Sequence, residues 1–164
     1  MSDHKLYFEY FDSPLGEIEV TSSQTELLSL VFTTINNKTL EKQPVSYSPI
    51  NEKVKQQITA YFNKELTKFD LPLKPAGTEF QKKVWHELMK IPFGTTVSYL
   101  TLAKKMEDAE AIRAVAAANG KNPIAIIIPC HRVIGTDGKL VGYSGELWRK
   151  KWLLEHESKQ EKLF

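Results

Sequence analysis

Cys130 is the sole cysteine among 164 residues, and it stands in the string Pro129-Cys130-His131-Arg132. The thiolate, not the thiol, is the nucleophile, and a neighbouring imidazole or cation lowers a cysteine's pKa, so this setting suits nucleophilic attack. Pro129 stiffens the approach to the thiol. Taken alone, a single cysteine is more often a small buried apolar side chain. Adjacent strand residues also face opposite ways, so adjacency does not by itself make Cys130 and His131 a pair. One cysteine excludes an intramolecular disulfide and a cysteine zinc cluster. A free thiol fits a reducing compartment, and a cytoplasmic setting is expected.

The elements that must position this thiol can be read along the chain. An apolar content of 41% suffices for a packed core, and the formal net charge is +2. Residues 1–75 carry 8 Lys+Arg against 10 Asp+Glu, and residues 76–164 carry 14 against 10, so a modest basic excess sits in the second half. The N-terminus lacks a signal peptide pattern, and no apolar run approaches the roughly 20 residues that span a bilayer, so no membrane association is expected.

The first half reads as a small sheet followed by a helix. KLYFEYF, EIEVT and LLSLVF are strand-like, with turns at Ser13–Gly16 and Asn36-Asn37. Val54, Ile58, Phe62 and Leu66 then form an apolar stripe along a helix. Pro72, Pro75 and Gly77 break the pattern, which places a boundary near residue 75 and gives domains 1–75 and 76–164. In the second half, Thr78 and Gln81 form a capping box for a helix striped by Phe80, Val84 and Leu88, with Trp85 and Met89 widening the stripe. A short helix around SYLTLAKKM and another from about Ala109 to Asn119, capped by Asp108, suggest a helix-turn-helix. The apolar run Ile124–Ile128 leads into the cysteine. A Gly-rich stretch, TDGKLVGYSG, and a last helix, ELWRKKWLLEHE, follow; its run Arg149-Lys150-Lys151 reads as a solvated face.

NPIAIIIPCHRVIG, then GYSG, then WLLEHE, preceded by TEFQKKVWHELMKIPFGTTVSYLTLA and RAVAAANGKNP, closely resembles the O6-alkylguanine-DNA alkyltransferase family over residues 78 to 157. The resemblance implies an α+β fold: a small N-terminal RNase H-like domain and a mostly helical C-terminal domain carrying the helix-turn-helix. It implies DNA repair by direct reversal, a single-turnover transfer of an alkyl group from O6 of guanine, or O4 of thymine, to Cys130. His131 would act as base through a water, oriented by Glu157. Asn122 would tie the helix-turn-helix to the thiol turn, and Tyr99 would donate at the guanine N3 side. Tyr143 and Ser144 would line the pocket, with the carbonyls of Cys130 and Val133 reading the exocyclic amine. The reaction would need no metal and no cofactor, and His4 and His86 read as ordinary histidines.

The partner implied is double-stranded DNA bound through its minor groove by a monomer, with the damaged base flipped out of the stack. Arg113 would take the vacated place, and Ala114 and Ala117, among small neighbours at Ala111 and Ala116, would permit close approach. Lys104, Lys105, Lys121 and Lys139 would meet phosphates or simply solvate the surface. The chain departs from the family pattern at three points: Glu107 and Ala109 stand where Gly and Pro are usual, Ala116 where Gly is usual, and Glu146 where the second Gly after the Tyr-Ser pair is usual. A lesion-binding relative without the acceptor thiol, a plain helix-turn-helix regulator and a cysteine hydrolase are the rival readings. Cys130 itself opposes the first. The regulator leaves PCHR and GYSG unexplained, and the hydrolase lacks a supporting distant histidine signature.

Overall fold

The tight turn at Ser13–Gly16 is closed by backbone hydrogen bonds in both directions between Ser13 and Gly16 (3.1 and 3.0 Å), with Gly16 in the left-handed region at φ 101°. In the computed structural model, which describes residues 5–135, 137, 138, 143 and 145–158, this turn joins β1 (Tyr7–Phe11) to β2 (Ile18–Ser22). Strand β3 (Leu27–Phe32) completes an antiparallel sheet in the order β1-β2-β3, registered by Phe11 opposite Ile18 and Ile18 opposite Phe32. Asn36 and Asn37, at φ 52° and 63°, form the two-residue turn between β4 (Thr34–Ile35) and β5 (Lys38–Thr39). Positive φ at both central positions suits asparagine and matches the twist of a hairpin.

Helix α1 (Pro49–Phe62) starts at Ser48, whose hydroxyl accepts from the Asn51 backbone at 2.9 Å. Its buried residues are Asn51, Val54, Ile58 and Tyr61. Tyr61, not Phe62, therefore continues the apolar line, and Leu66 lies beyond the helix. A constant spacing of four overshoots each turn by about 40°, so the stripe drifts off the buried face. Lys64 at φ 62° ends the helical path.

The chain divides into two compact units, Met1–Ala76 with Pro123–Ala125, and Gly77–Asn122 with Ile126–Phe164. Beside β3, the Leu30 amide donates to the Pro123 carbonyl at 2.9 Å, and the Ala125 amide donates to the Leu30 carbonyl at 3.0 Å. Leu27 is bracketed in the same way by Pro72 and Lys74, both at 2.8 Å. Two short parallel segments thus cover an edge that would otherwise expose unpaired backbone.

In the second unit, α2 (Glu79–Leu88) carries the full Thr78–Gln81 capping box. Val84, Trp85 and Leu88 are buried, while Phe80 and Met89 keep 36% and 43% of their surface exposed, so the core stripe is narrower than the sequence suggests. Trp85 Nε1 donates to the Ala118 carbonyl at 2.8 Å and fastens α2 to α4 (Ile112–Gly120). Helix α3 (Tyr99–Lys105), capped by Ser98, precedes α4. The second helix of this pair does not begin as an α-helix at Ala109: Asp108 caps a 3₁₀ turn, Ala109–Ala111, and α-helical geometry starts at Ile112. Strand β6 (Val97–Ser98) pairs in parallel with β7 (Val133–Ile134), and α5 (Leu147–Glu157) closes the described chain. The mixed α+β organisation expected from the sequence is observed.

Candidate active site

Cys130 opens a 3₁₀ turn, Cys130–Arg132, that leads directly into β7. The approach to it is bent: buried Ile126 holds φ 71°, a region a β-branched residue rarely enters, after Pro123–Ala125 have joined the sheet beside β3. Asn122 steadies this approach by donating from Nδ2 to the Ile128 carbonyl at 2.7 Å. The thiol itself is buried. Burial pushes it up to about 11, opposed by a hydrogen bond to the Asn122 side chain and by the charge of Lys150. The resting thiol is therefore protonated. An adjacent histidine would ordinarily point to a lowered thiol, but here the lowering influences come from Asn122 and Lys150.

His131 is fully buried, and its Nε2 lies 2.8 Å from Glu157 Oε2. Burial lowers the imidazole's pKa and Glu157 draws it up; the net shift is down, so the ring is neutral at neutral pH. Burial alone would raise the Glu157 carboxyl, but hydrogen bonds and charge from His131 and Arg132 outweigh it and hold the group well below the usual carboxylate range. An ionised Glu157 can only accept, so the imidazole proton sits on Nε2 and Nδ1 presents a lone pair. That Nδ1 is buried with no hydrogen-bond partner among the described residues.

Arg132 completes the chain of charge. Its Nε and Nη2 donate to the two oxygens of Glu157 at 2.8 and 3.0 Å, and Nη1 donates to the Ile91 carbonyl at 2.6 Å. The end of α5, the thiol turn and the loop after α2 are thereby locked together by a two-pronged contact of the strong, charge-assisted kind.

Tyr99 is buried at the start of α3, and burial raises its hydroxyl. Tyr143 is buried too, its hydroxyl pushed well up by burial and without a hydrogen-bond partner among the described residues. Ser144 lies outside the described residues, as do Lys139 and His4. The Val133 carbonyl accepts from Lys150 Nζ at 2.6 Å. Cys130, His131, Glu157, Asn122, Tyr99, Tyr143 and Val133 thus gather around the thiol turn. Arg113, Ala114 and Ala117 do not; they lie on the exposed face of α4, opposite buried Val115, Ala118 and Asn119, with Lys104, Lys105 and Lys121 also exposed.

Three residues of this centre escape a reading of the sequence. Arg132 enters the sequence reading only as a cation near the thiol, not as the partner of Glu157. Of the basic run of α5, Lys151 is exposed, but Arg149 is 4% exposed and Lys150 fully buried, with burial lowering Lys150 to about 8 against the pull of Cys130. Its spacing with buried Leu153 and Glu157 is the helical signal that places it inward. Asn119 is also fully buried, its Nδ2 donating to the Cys130 carbonyl at 3.2 Å and to the Tyr99 hydroxyl oxygen at 3.4 Å. No signal in the sequence separates it from a helix-ending asparagine.

One buried thiol, next in sequence to a fixed imidazole–carboxylate–guanidinium cluster and near buried tyrosines, defines a protein built around a single cysteine. The 6-O-methylguanine DNA methyltransferase ribonuclease-like domain matches residues 6–75, and the DNA binding domain of the same enzyme matches residues 79–159. A methylated-DNA–protein-cysteine methyltransferase of Methanosarcina acetivorans is 43% identical over 155 residues, covering 93% of this chain and 98% of the relative. The Mycobacterium leprae protein of that name is 44% identical over 158 residues, 94% of each chain. The crystal structure of Mycobacterium tuberculosis O6-methylguanine methyltransferase superposes with a TM-score of 0.84 at 39% identity, covering 98% of this chain and 97% of that one. The structure of Mycobacterium tuberculosis OGT in complex with DNA matches at 0.82 and 42% identity, covering 92% of both. The chain belongs to the 6-O-methylguanine DNA methyltransferase family. Among the described residues, no helix is long and apolar enough to cross a membrane.

Proposed function

We propose that this protein repairs DNA by direct reversal, moving an alkyl group from O6 of guanine onto Cys130 in a single turnover. The observation that carries this reading is the 2.8 Å contact of His131 Nε2 with Glu157, one residue from the sole cysteine, with Nδ1 buried and unpartnered among the described residues and so placed to take a proton. The thiol proton passes through a water to Nδ1. Sulfur attacks the alkyl carbon in line, a C–S bond forms, and the C–O bond breaks with its electron pair on O6. Tyr99 relieves the charge that develops on the base by donating at the N3 side. Tyr143 lines the pocket, and the carbonyls of Cys130 and Val133 read the exocyclic amine. Lys150, whose Nζ donates to the Val133 carbonyl, favours the thiolate through its charge as it forms. The thioether product has no group in the site able to cleave it, so the protein is consumed.

DNA is engaged through its minor groove by a monomer. The helix-turn-helix of α3 and α4 presents Arg113 to the gap left by the flipped base, and Ala114 and Ala117 to the narrow groove. The exposure of these three residues on one side of α4 supports this reading. The boundary at residue 75 separates a supporting domain from the alkyl-transfer domain.

Intact-protein and peptide mass spectrometry after incubation with a duplex carrying one O6-methylguanine tests the proposal. One methyl group on the Cys130 peptide, stoichiometric with protein, is expected. Cys130→Ser should bind the duplex and gain no methyl, because a hydroxyl is far less nucleophilic at neutral pH. Transfer that survives this substitution, or a wild-type cysteine left unmodified by O6-methylguanine, O4-methylthymine and benzylguanine alike, would refute it.

A further inference from the structure

Asn119 joins three parts of the site that the alkyl-transfer reading leaves as separate actors. It lies in the last turn of α4, fully buried, and one side-chain nitrogen reaches both the Cys130 carbonyl at 3.2 Å and the Tyr99 hydroxyl oxygen at 3.4 Å. A carbonyl can only accept, so the Cys130 contact fixes which end of the amide faces the site: it is the NH₂. The second hydrogen of that NH₂ then points at Tyr99, whose oxygen must act as acceptor. A tyrosine hydroxyl has one proton, and an NH₂ donor cannot receive it. The Tyr99 proton is therefore directed away from Asn119. The bond is also of the kind that favours negative charge on the Tyr99 oxygen, opposing the effect of burial.

We propose that Asn119 is a positioning residue that makes Tyr99 a proton donor toward the extruded base while holding the backbone of the acceptor cysteine. The inference rests on the alkyl-transfer reading and deepens it. It links the end of the helix that carries Arg113 to the donor and to the nucleophile through one amide. An asparagine does this because it offers two donors from one atom. A carboxylate of the same shape offers only acceptors, and a hydroxyl only one donor. Among the described residues, charged or titratable groups facing Tyr99 include Cys130, from the thiol turn, and Lys150 of α5, whose Nζ lies 5.9 Å from the ring centre.

The test is the single-turnover rate of methyl transfer to Cys130 in wild type, Asn119→Asp, Tyr99→Phe and the double variant, with duplex affinity measured alongside. In Asn119→Asp an ionised carboxylate accepts a hydrogen bond from the Tyr99 hydroxyl, turning its proton away from the base, and faces the Cys130 carbonyl without a donor. Transfer should slow by roughly 10²-fold, the scale for losing one preorganised donor, with duplex Kd within about twofold of wild type. The loss should shrink as pH falls and the buried carboxyl protonates to become a donor again. It should vanish when Tyr99 is already Phe, apart from the share due to the Cys130 carbonyl. A purely structural role would not give a pH-reversible defect that depends on the Tyr99 hydroxyl. Should circular dichroism show that Asn119→Asp does not fold, Asn119→Ser carries the same comparison, since one hydroxyl cannot serve both acceptors. Wild-type rates in the variant, or an equal slowing with and without the Tyr99 hydroxyl, would overturn the assignment. A wild-type protein that leaves Cys130 unmodified would instead defeat the alkyl-transfer reading itself.

Discussion

At the residue scale the site keeps opposite demands apart by environment. Cys130 rests as a neutral thiol because burial outweighs the cationic pull of Lys150. Its alkylation by iodoacetamide should climb steadily from pH 7 to 10 with no plateau below about 11, and Lys150→Met should push the profile higher still. A plateau near neutral pH would show a standing thiolate. Glu157 behaves oppositely. Its folded pKa is lowered, so it contributes stability that is present above its unfolded value, about 4.5, and is lost as pH falls toward the folded one. Glu157→Gln should cost on the order of 3 kcal/mol at neutral pH, by leaving Arg132 buried without its counter-charge, and should flatten the acid side of a plot of Tm against pH. Thermal melts of both proteins between pH 3 and 7 check this. The sequence revealed the thiol, the imidazole and the distant carboxylate through their motif. It did not reveal Arg132 or Asn119, whose parts depend on which carbonyl and which hydroxyl lie beside them, and it misplaced Lys150 because a charge run is usually solvated.

At the scale of elements, two departures from the family pattern fall where the backbone is left-handed. Glu107, just past α3, holds φ 61°, and Glu146, ahead of α5, holds φ 78°. Glycine adopts such angles without the clash that costs other residues about 1–2 kcal/mol. Glu107→Gly should therefore stabilise the protein by about 1 kcal/mol in urea unfolding, since the side chain is exposed. Glu146→Gly should gain less. The Glu146 carboxylate accepts from Trp148 Nε1 at 2.8 Å and Arg149 Nη1 at 3.3 Å, contacts that offset the strain and are lost with the side chain. At Gly77 the constraint is space. A methyl there would come within 2.5 Å of the Trp85 ring, which is pinned by its bond to Ala118, so Gly77→Ala should cost about 1–3 kcal/mol. Helix existence and caps were legible from periodicity and from Thr78 and Gln81. The end of α1 and the 3₁₀ entry to α4 were not, because they follow from local backbone angles that composition does not specify.

At the scale of the whole molecule, binding to duplex should weaken steeply with salt through the exposed lysines near α3 and α4. Arg113→Ala should slow repair of duplex by roughly tenfold, a fraction of the cost of unstacking a base, yet leave the reaction with free benzylguanine nearly unchanged. Equal loss on both substrates would place Arg113 outside any role in extrusion. Pro72, Pro75 and Gly77 mark a break in the sequence pattern near residue 75. The return of Pro123–Ala125 to the first sheet was not legible, because parallel pairing across so great a separation leaves no local trace. That return governs the order in which the protein comes into being. Leu30 must wait for Pro123 and Ala125 to be made and brought back before its edge is complete, and closing so long a loop is slow. The thiol follows a few residues later. Until the elements around it have packed, a newborn chain's one cysteine lacks the burial that raises its pKa and is open to oxidants. The burial that keeps the finished protein's thiol protonated is thus also what ends its infancy as an unprotected thiol.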